Sequence, residues 1–81
     1  MKLTIDVDAD AGYVSVSQAA VARTEPFAES VLIDVDDVGQ LVGIELLTLT
    51  ATVDTDGIAN RYGLSAVVRD ELRRTFSGES A

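Results

Sequence analysis

An α+β fold, an antiparallel β-meander of about four strands with two carboxy-terminal helices packed on one face, is predicted by two features of these 81 residues. Apolar residues alternate with polar ones through residues 1–53, the period-two signature of half-buried strands, and Asp- and Gly-rich turns interrupt them. From residue 54 the spacing changes to the three-to-four-residue period of helices. A chain this short fills one hydrophobic core, so the expected organisation is a single domain over 1–81. Within it, 1–53 form the sheet, 54–76 a helical hairpin and 77–81 a frayed tail.

Each element follows from its local pattern. Residues 2–7 place Leu3, Ile5 and Val7 on one face and Lys2, Thr4 and Asp6 on the other, and residues 8–12 supply turn chemistry. Residues 13–17 read as a second strand, with Val14 and Val16 inward, making a hairpin with the first. Residues 18–30 lose the alternation around Glu25-Pro26, since proline removes a donor, and are expected to be a strand end followed by a surface loop. Residues 31–35 resume it with Val31, Ile33 and Val35, and Asp36-Asp37-Val38-Gly39 forms a turn whose glycine accepts a positive φ.

Residues 40–53 read as a further extended segment containing a change of phase. Val42, Ile44 and Leu46 share one face; Leu47, Leu49, Ala51 and Val53 share the other parity. A bulge or bend near Leu46-Leu47 would reconcile them. The alternative is that both faces are covered there, one by the helices and one by a second subunit. Asp54, Thr55 and Asp56 then offer caps for a helix carrying Ile58, Ala59 and Tyr62, which Gly63 stops. Ser65 caps a second helix in which Val68, Leu72 and Phe76 recur every fourth residue.

Composition bounds the function. The net charge is −8, and the chain contains no cysteine and no histidine, so disulfides and the usual zinc ligands are excluded. A small fold without either support is expected to gain stability by association, a homodimer being favoured. No signal-peptide order and no apolar run of about 20 residues is present, which predicts a cytoplasmic protein away from membranes. Residues 1–57 set Lys2 and Arg23 against eleven acidic residues, net −9, while residues 58–81 carry +1. That sheet half repels phosphate backbones and suits a basic protein partner.

Four constellations carry candidate chemistry. Asp6, Asp8 and Asp10 open like a calcium loop, but Ala11 and Ser17 stand where that loop needs its glycine and its bidentate glutamate, so no metal is expected. Asp34, Asp36, Asp37 and Glu45 belong to strands joined by a tight turn, and their carboxyl groups can approach across it. Glu45, sharing the parity of Leu41 and Leu47, should face away from Ile44. With no histidine base, cysteine nucleophile or phosphate-cradling loop, no catalytic residue, cofactor or enzyme activity is assigned. Ala59, Gly63 and Leu72 have the spacing of a helix-turn-helix over residues 56–76, and Arg61, Arg69, Arg73 and Arg74 are its candidate contacts. Arg69 occupies the usual mid-helix apolar position, however, and Asp70 and Glu71 disfavour phosphate, so a helical hairpin covering the sheet is the preferred reading and DNA binding the alternative.

Two segments carry a resemblance. Residues 8–14, DADAGYV, lead through aspartates into a tyrosine strand; residues 31–47, VLIDVDDVGQLVGIELL, pair a valine-rich strand ending in Asp with a Gly turn and a closing Gly43-Ile44-Glu45. Over residues 3–48 this resembles domain-of-unknown-function family 2283, small bacterial and phage proteins. The resemblance marks Asp10, Tyr13, Asp34, Gly39, Gly43, Ile44 and Glu45 as motif residues, structural or in contact with a partner. No activity is attached to that motif. It implies a small accessory protein, antitoxin-like or regulatory, acting by protein–protein interaction.

Overall fold

The computed structural model describes residues 1–77, so residues 78–81 of the expected tail lie outside the described residues. Among the described residues five strands and two helices follow one another: β1 (Lys2–Asp6), β2 (Ala11–Ser15), β3 (Arg23–Ala28), β4 (Val31–Val35), β5 (Leu41–Leu46), α1 (Thr55–Tyr62) and α2 (Ala66–Ser77). All strand pairs are antiparallel and the order is β1-β2-β5-β4-β3. The α+β class holds, with one strand more than the alternation revealed. The sheet is also more than a meander, because β5 inserts between the β1–β2 hairpin and β4.

The additional strand, β3, occupies the segment read as a strand end and loop. Pro26 is tolerated because β3 is an edge strand with one hydrogen-bonding partner. The register shifts between Pro26 and Ala28, leaving Phe27 as an unpaired bulge residue that packs against the core. A second irregularity corrects the reading of β5. Asp34 pairs with Gly43 and Val35 with Leu41, so Val42 is the extra residue. Its carbonyl accepts from both Val16 N (2.8 Å) and Ser17 N (3.1 Å). The phase therefore changes at Val42, and Leu41, not Val42, joins Ile44 and Leu46 in the core cluster. The strand ends at Leu46, and residues 47–54 bend away from it, so the expected extension to 53 is absent.

Turns and caps follow residue chemistry. Asp36 Oδ1 accepts from Val38 N and Gln40 N (3.0 and 2.8 Å), and Gly39 adopts φ +84°, closing the β4–β5 turn. Asp54 caps α1 by accepting from Gly57 N at 3.0 Å. Gly63 ends α1 in the left-handed conformation, and the Leu64 amide returns to Ala59 O (3.0 Å). α2 begins after Ser65, whose hydroxyl accepts from Val68 N (3.3 Å), and it runs through Ser77, the first residue of the expected tail.

Both helices cover one sheet face. Val14, Val31, Ile33, Val35 and Ile44 from the strands meet Ile58 of α1 and Leu72 of α2, all fully buried. Each such side chain stabilises the fold by roughly 1.5–3 kcal/mol. The alternate residues of the same strands point to the other face, which no helix among the described residues covers.

Candidate functional site

The strand registers arrange the uncovered face in rows. Thr4, Tyr13, Glu45, Leu32 and Pro26 run across all five strands, and Lys2, Ser15, Gly43, Asp34 and Thr24 form the next row. Asp34 is the centre of a polar network there, only 6% exposed although it lies on the helix-free side. Tyr13 reaches diagonally from β2 and donates its hydroxyl to Asp34 Oδ2 at 3.1 Å. Thr24 donates from β3 to Asp34 Oδ1 at 2.6 Å. Glu45, on β5 between them, lies beside the same carboxyl group and can donate to it when it holds its proton.

Gly43 makes the diagonal possible. Tyr13 lies across it, and a methyl group in place of its hydrogen would collide with the hydroxyl and ring carbons. The electrostatics follow from crowding two carboxyl groups and a phenol. Hydrogen bonding to Asp34, then burial, then the Asp34 charge raise Glu45 above the ordinary carboxylate value, so it holds its proton more tightly. Burial, the bond to Asp34 and both neighbouring negative charges push Tyr13 up to about 12, which makes it a persistent donor. Beside the network lies a shallow open hollow of about 300 Å³, edged by Thr4, Asp6, Tyr13, Glu45 and Leu47.

Four of the seven motif residues, Tyr13, Asp34, Gly43 and Glu45, thus meet in one place. The expected approach of Asp34 and Glu45 is present, whereas Asp36 and Asp37 stay in the turn. Glu45 faces away from the buried Ile44 as its parity required. The other three motif residues serve the frame. Asp10, at φ +52°, accepts from Leu49 N (3.0 Å) and the Thr48 hydroxyl (2.8 Å), tying the β1–β2 turn to the segment after β5. Gly39 forms a turn and Ile44 the core. Thr24 and Thr48 were not singled out from the sequence. Thr24 lies in the strand the alternation concealed, and Thr48 meets Asp10 across 38 residues of chain.

The arginines lie apart from this network. Arg61 stacks over the Phe27 ring at 4.6 Å. Arg73 bridges α2 to α1 through Asp56 (2.6 Å) and also approaches Asp70 (3.4 Å); Arg69 lies 3.6 Å from Asp70. Arg74 is exposed. Among the described residues no three His, Cys, Asp or Glu side chains are grouped to hold a metal ion. None of the helices there is long and apolar enough to cross a membrane.

No curated protein and no solved structure matches the chain. A family model described as "protein of unknown function" matches residues 2–49, more than half of the sequence and all four strands that supply the network, and the chain therefore belongs to domain-of-unknown-function family 2283.

Proposed function

We propose that this chain is a non-catalytic interaction module that docks a basic protein on its open sheet face, in the manner of an antitoxin-like accessory protein. The observation that carries this reading is the helix-free face itself, where Tyr13, Asp34 and Glu45 are held in fixed positions by strand register and hydrogen bonds. Asp6, Asp34 and Glu45 stand there against Lys2 in the strand rows of the described residues, and residues 1–57 as a whole carry −9. Such a field speeds encounter with a basic surface and penalises acidic competitors.

A non-catalytic role fits the network's chemistry. Its carboxyl groups are engaged by each other and by two hydroxyls, and the adjoining hollow is open and shallow, whereas general acid–base work uses an enclosed cleft. The DNA-binding alternative draws less support, because Asp56 and Asp70 engage Arg73, and Asp70 also lies beside Arg69.

Affinity capture from the native cell with two variants tests the reading. The captured protein is expected to be basic, to bind at least about tenfold more weakly to Glu45→Arg, and to be retained by Arg69→Glu/Arg74→Glu. An acidic partner, indifference to Glu45→Arg, or low-salt retention of duplex DNA that the arginine variant abolishes would overturn it.

A further inference from the structure

The two edges of the sheet are protected unequally. β3 carries Pro26, which lacks a donor, and a bulge at Phe27; both blunt a strand against pairing with another chain. β1 has neither. Its five residues pair with β2 without a register shift, leaving the outer edge straight, and four of the five are exposed. Ile5 is 53% exposed and Val7, just beyond the strand, 76%, so two aliphatic side chains lie open along an edge that only the charges of Lys2 and Asp6 and its short length guard.

The sequence of β1, Lys2-Leu3-Thr4-Ile5-Asp6, is complementary to itself when reversed. Place a two-fold axis through Thr4, normal to the sheet. Thr4 then faces Thr4 of the second copy, Leu3 faces Ile5, and Lys2 faces Asp6, each pair twice. Met1 and Val7 meet at the ends of the same register. Opposite charges and apolar pairs directly across a ladder stabilise it; a parallel pairing in register would set lysine on lysine and aspartate on aspartate. The axis also keeps each side chain on its own face, so Leu3 and Ile5 stay on the helix side and the charge pairs on the open side.

We infer that β1 pairs antiparallel with β1 of a second copy about a two-fold axis through Thr4, joining two five-stranded sheets into one of ten strands. This closed contact covers Ile5 and leaves the blunted β3 edges outermost. It stands independently of any partner on the open face, which it doubles in width.

The chain contains no cysteine, so one introduced thiol reports only on contact between copies. Residues directly opposite across an antiparallel pair bring their Cβ atoms to about 4.5–5.5 Å, next to the roughly 3.5–4.5 Å that a disulfide spans, so a small local adjustment closes the bond. Thr4→Cys should therefore oxidise to a covalent dimer, whereas Ala28→Cys, on the opposite edge, should stay monomeric on a non-reducing gel. Sedimentation equilibrium gives the second test. The unmodified chain should show a dimer mass at about 0.1 mM, Lys2→Glu should raise the dissociation constant about tenfold, and Lys2→Glu/Asp6→Lys should restore it. A monomer mass at that concentration, preferential cross-linking through Ala28→Cys, or a double variant as weak as the single one would each overturn the inference.

Discussion

At Gly43 a single hydrogen atom decides where Tyr13 can lie. Any side chain there would displace the ring that crosses it and break the Tyr13–Asp34 bond. Gly43→Ala is expected to cost about 2 kcal/mol, the range of overpacking, and the cost should fall below about 0.5 kcal/mol when Tyr13 is already alanine. Urea unfolding of the four chains in that cycle measures the coupling; additive costs would show that Gly43 acts through something other than Tyr13. Tyr13→Phe keeps the ring and removes only the hydroxyl. It should cost about 1 kcal/mol in the same assay, because nearly buried Asp34 loses one of its donors. Gly43, Asp34, Glu45 and Tyr13 were each legible as motif residues. Their meeting was only partly so: Asp34 and Glu45 are neighbours across a local hairpin, whereas Tyr13 arrives by the β2–β5 pairing, which local periodicity does not encode.

Among the elements, legibility tracked unbroken alternation. β1, β2 and β4 show it and are recovered within a few residues. β3 hides because Pro26 and the bulge at Phe27 break its pattern within a six-residue strand, although an edge position makes both tolerable. In β5 the inserted Val42 shifts the phase four residues earlier than the apolar parity alone implied, so Leu41 turns inward. The helical ends were readable because caps are local chemistry. Gly63→Ala, forced to adopt φ +64°, should cost about 1 kcal/mol, and Asp54→Ala a similar amount through the lost bond to Gly57. Arg73→Ala should cost less than about 0.5 kcal/mol, since its bridge to Asp56 is between exposed groups. Thermal melts rank the three, and an Arg73 effect equal to the caps would mean that the inter-helix bridge holds the hairpin together.

For the molecule as a whole, the sheet order arises from pairings distant in sequence, and the pH response from the local Asp34–Glu45 pair together with long-range contacts of Asp10 and Glu25. Glu45 is raised above its ordinary 4.5 by Asp34 and by burial, so the folded state binds its proton more tightly than the unfolded chain does. The resulting stability is complete below the unfolded value and is lost as pH rises through the higher folded one. Asp10 is held below its ordinary 3.8 by the Leu49 amide and Thr48 hydroxyl; Glu25 is held below 4.5 by the Tyr62 hydroxyl and then Arg23. Their contributions have the opposite sign, present above those values and lost as pH falls through the depressed folded ones. The two windows barely overlap, and the self-repulsion of a −8 chain also relaxes on acidification. Stability should accordingly peak near about pH 5, declining towards both neutrality and strong acid. Melts at about pH 7.5, 5.5 and 3 follow the curve. Glu45→Gln, which still donates to Asp34 but cannot ionise, should raise the melting temperature at the highest pH by about 2–4 °C and leave the acid limb unchanged. A wild-type curve that is flat between the two higher values, or a glutamine variant with the same slope, would place the carboxyl pair outside the stability balance and reduce the network to its hydroxyl bonds.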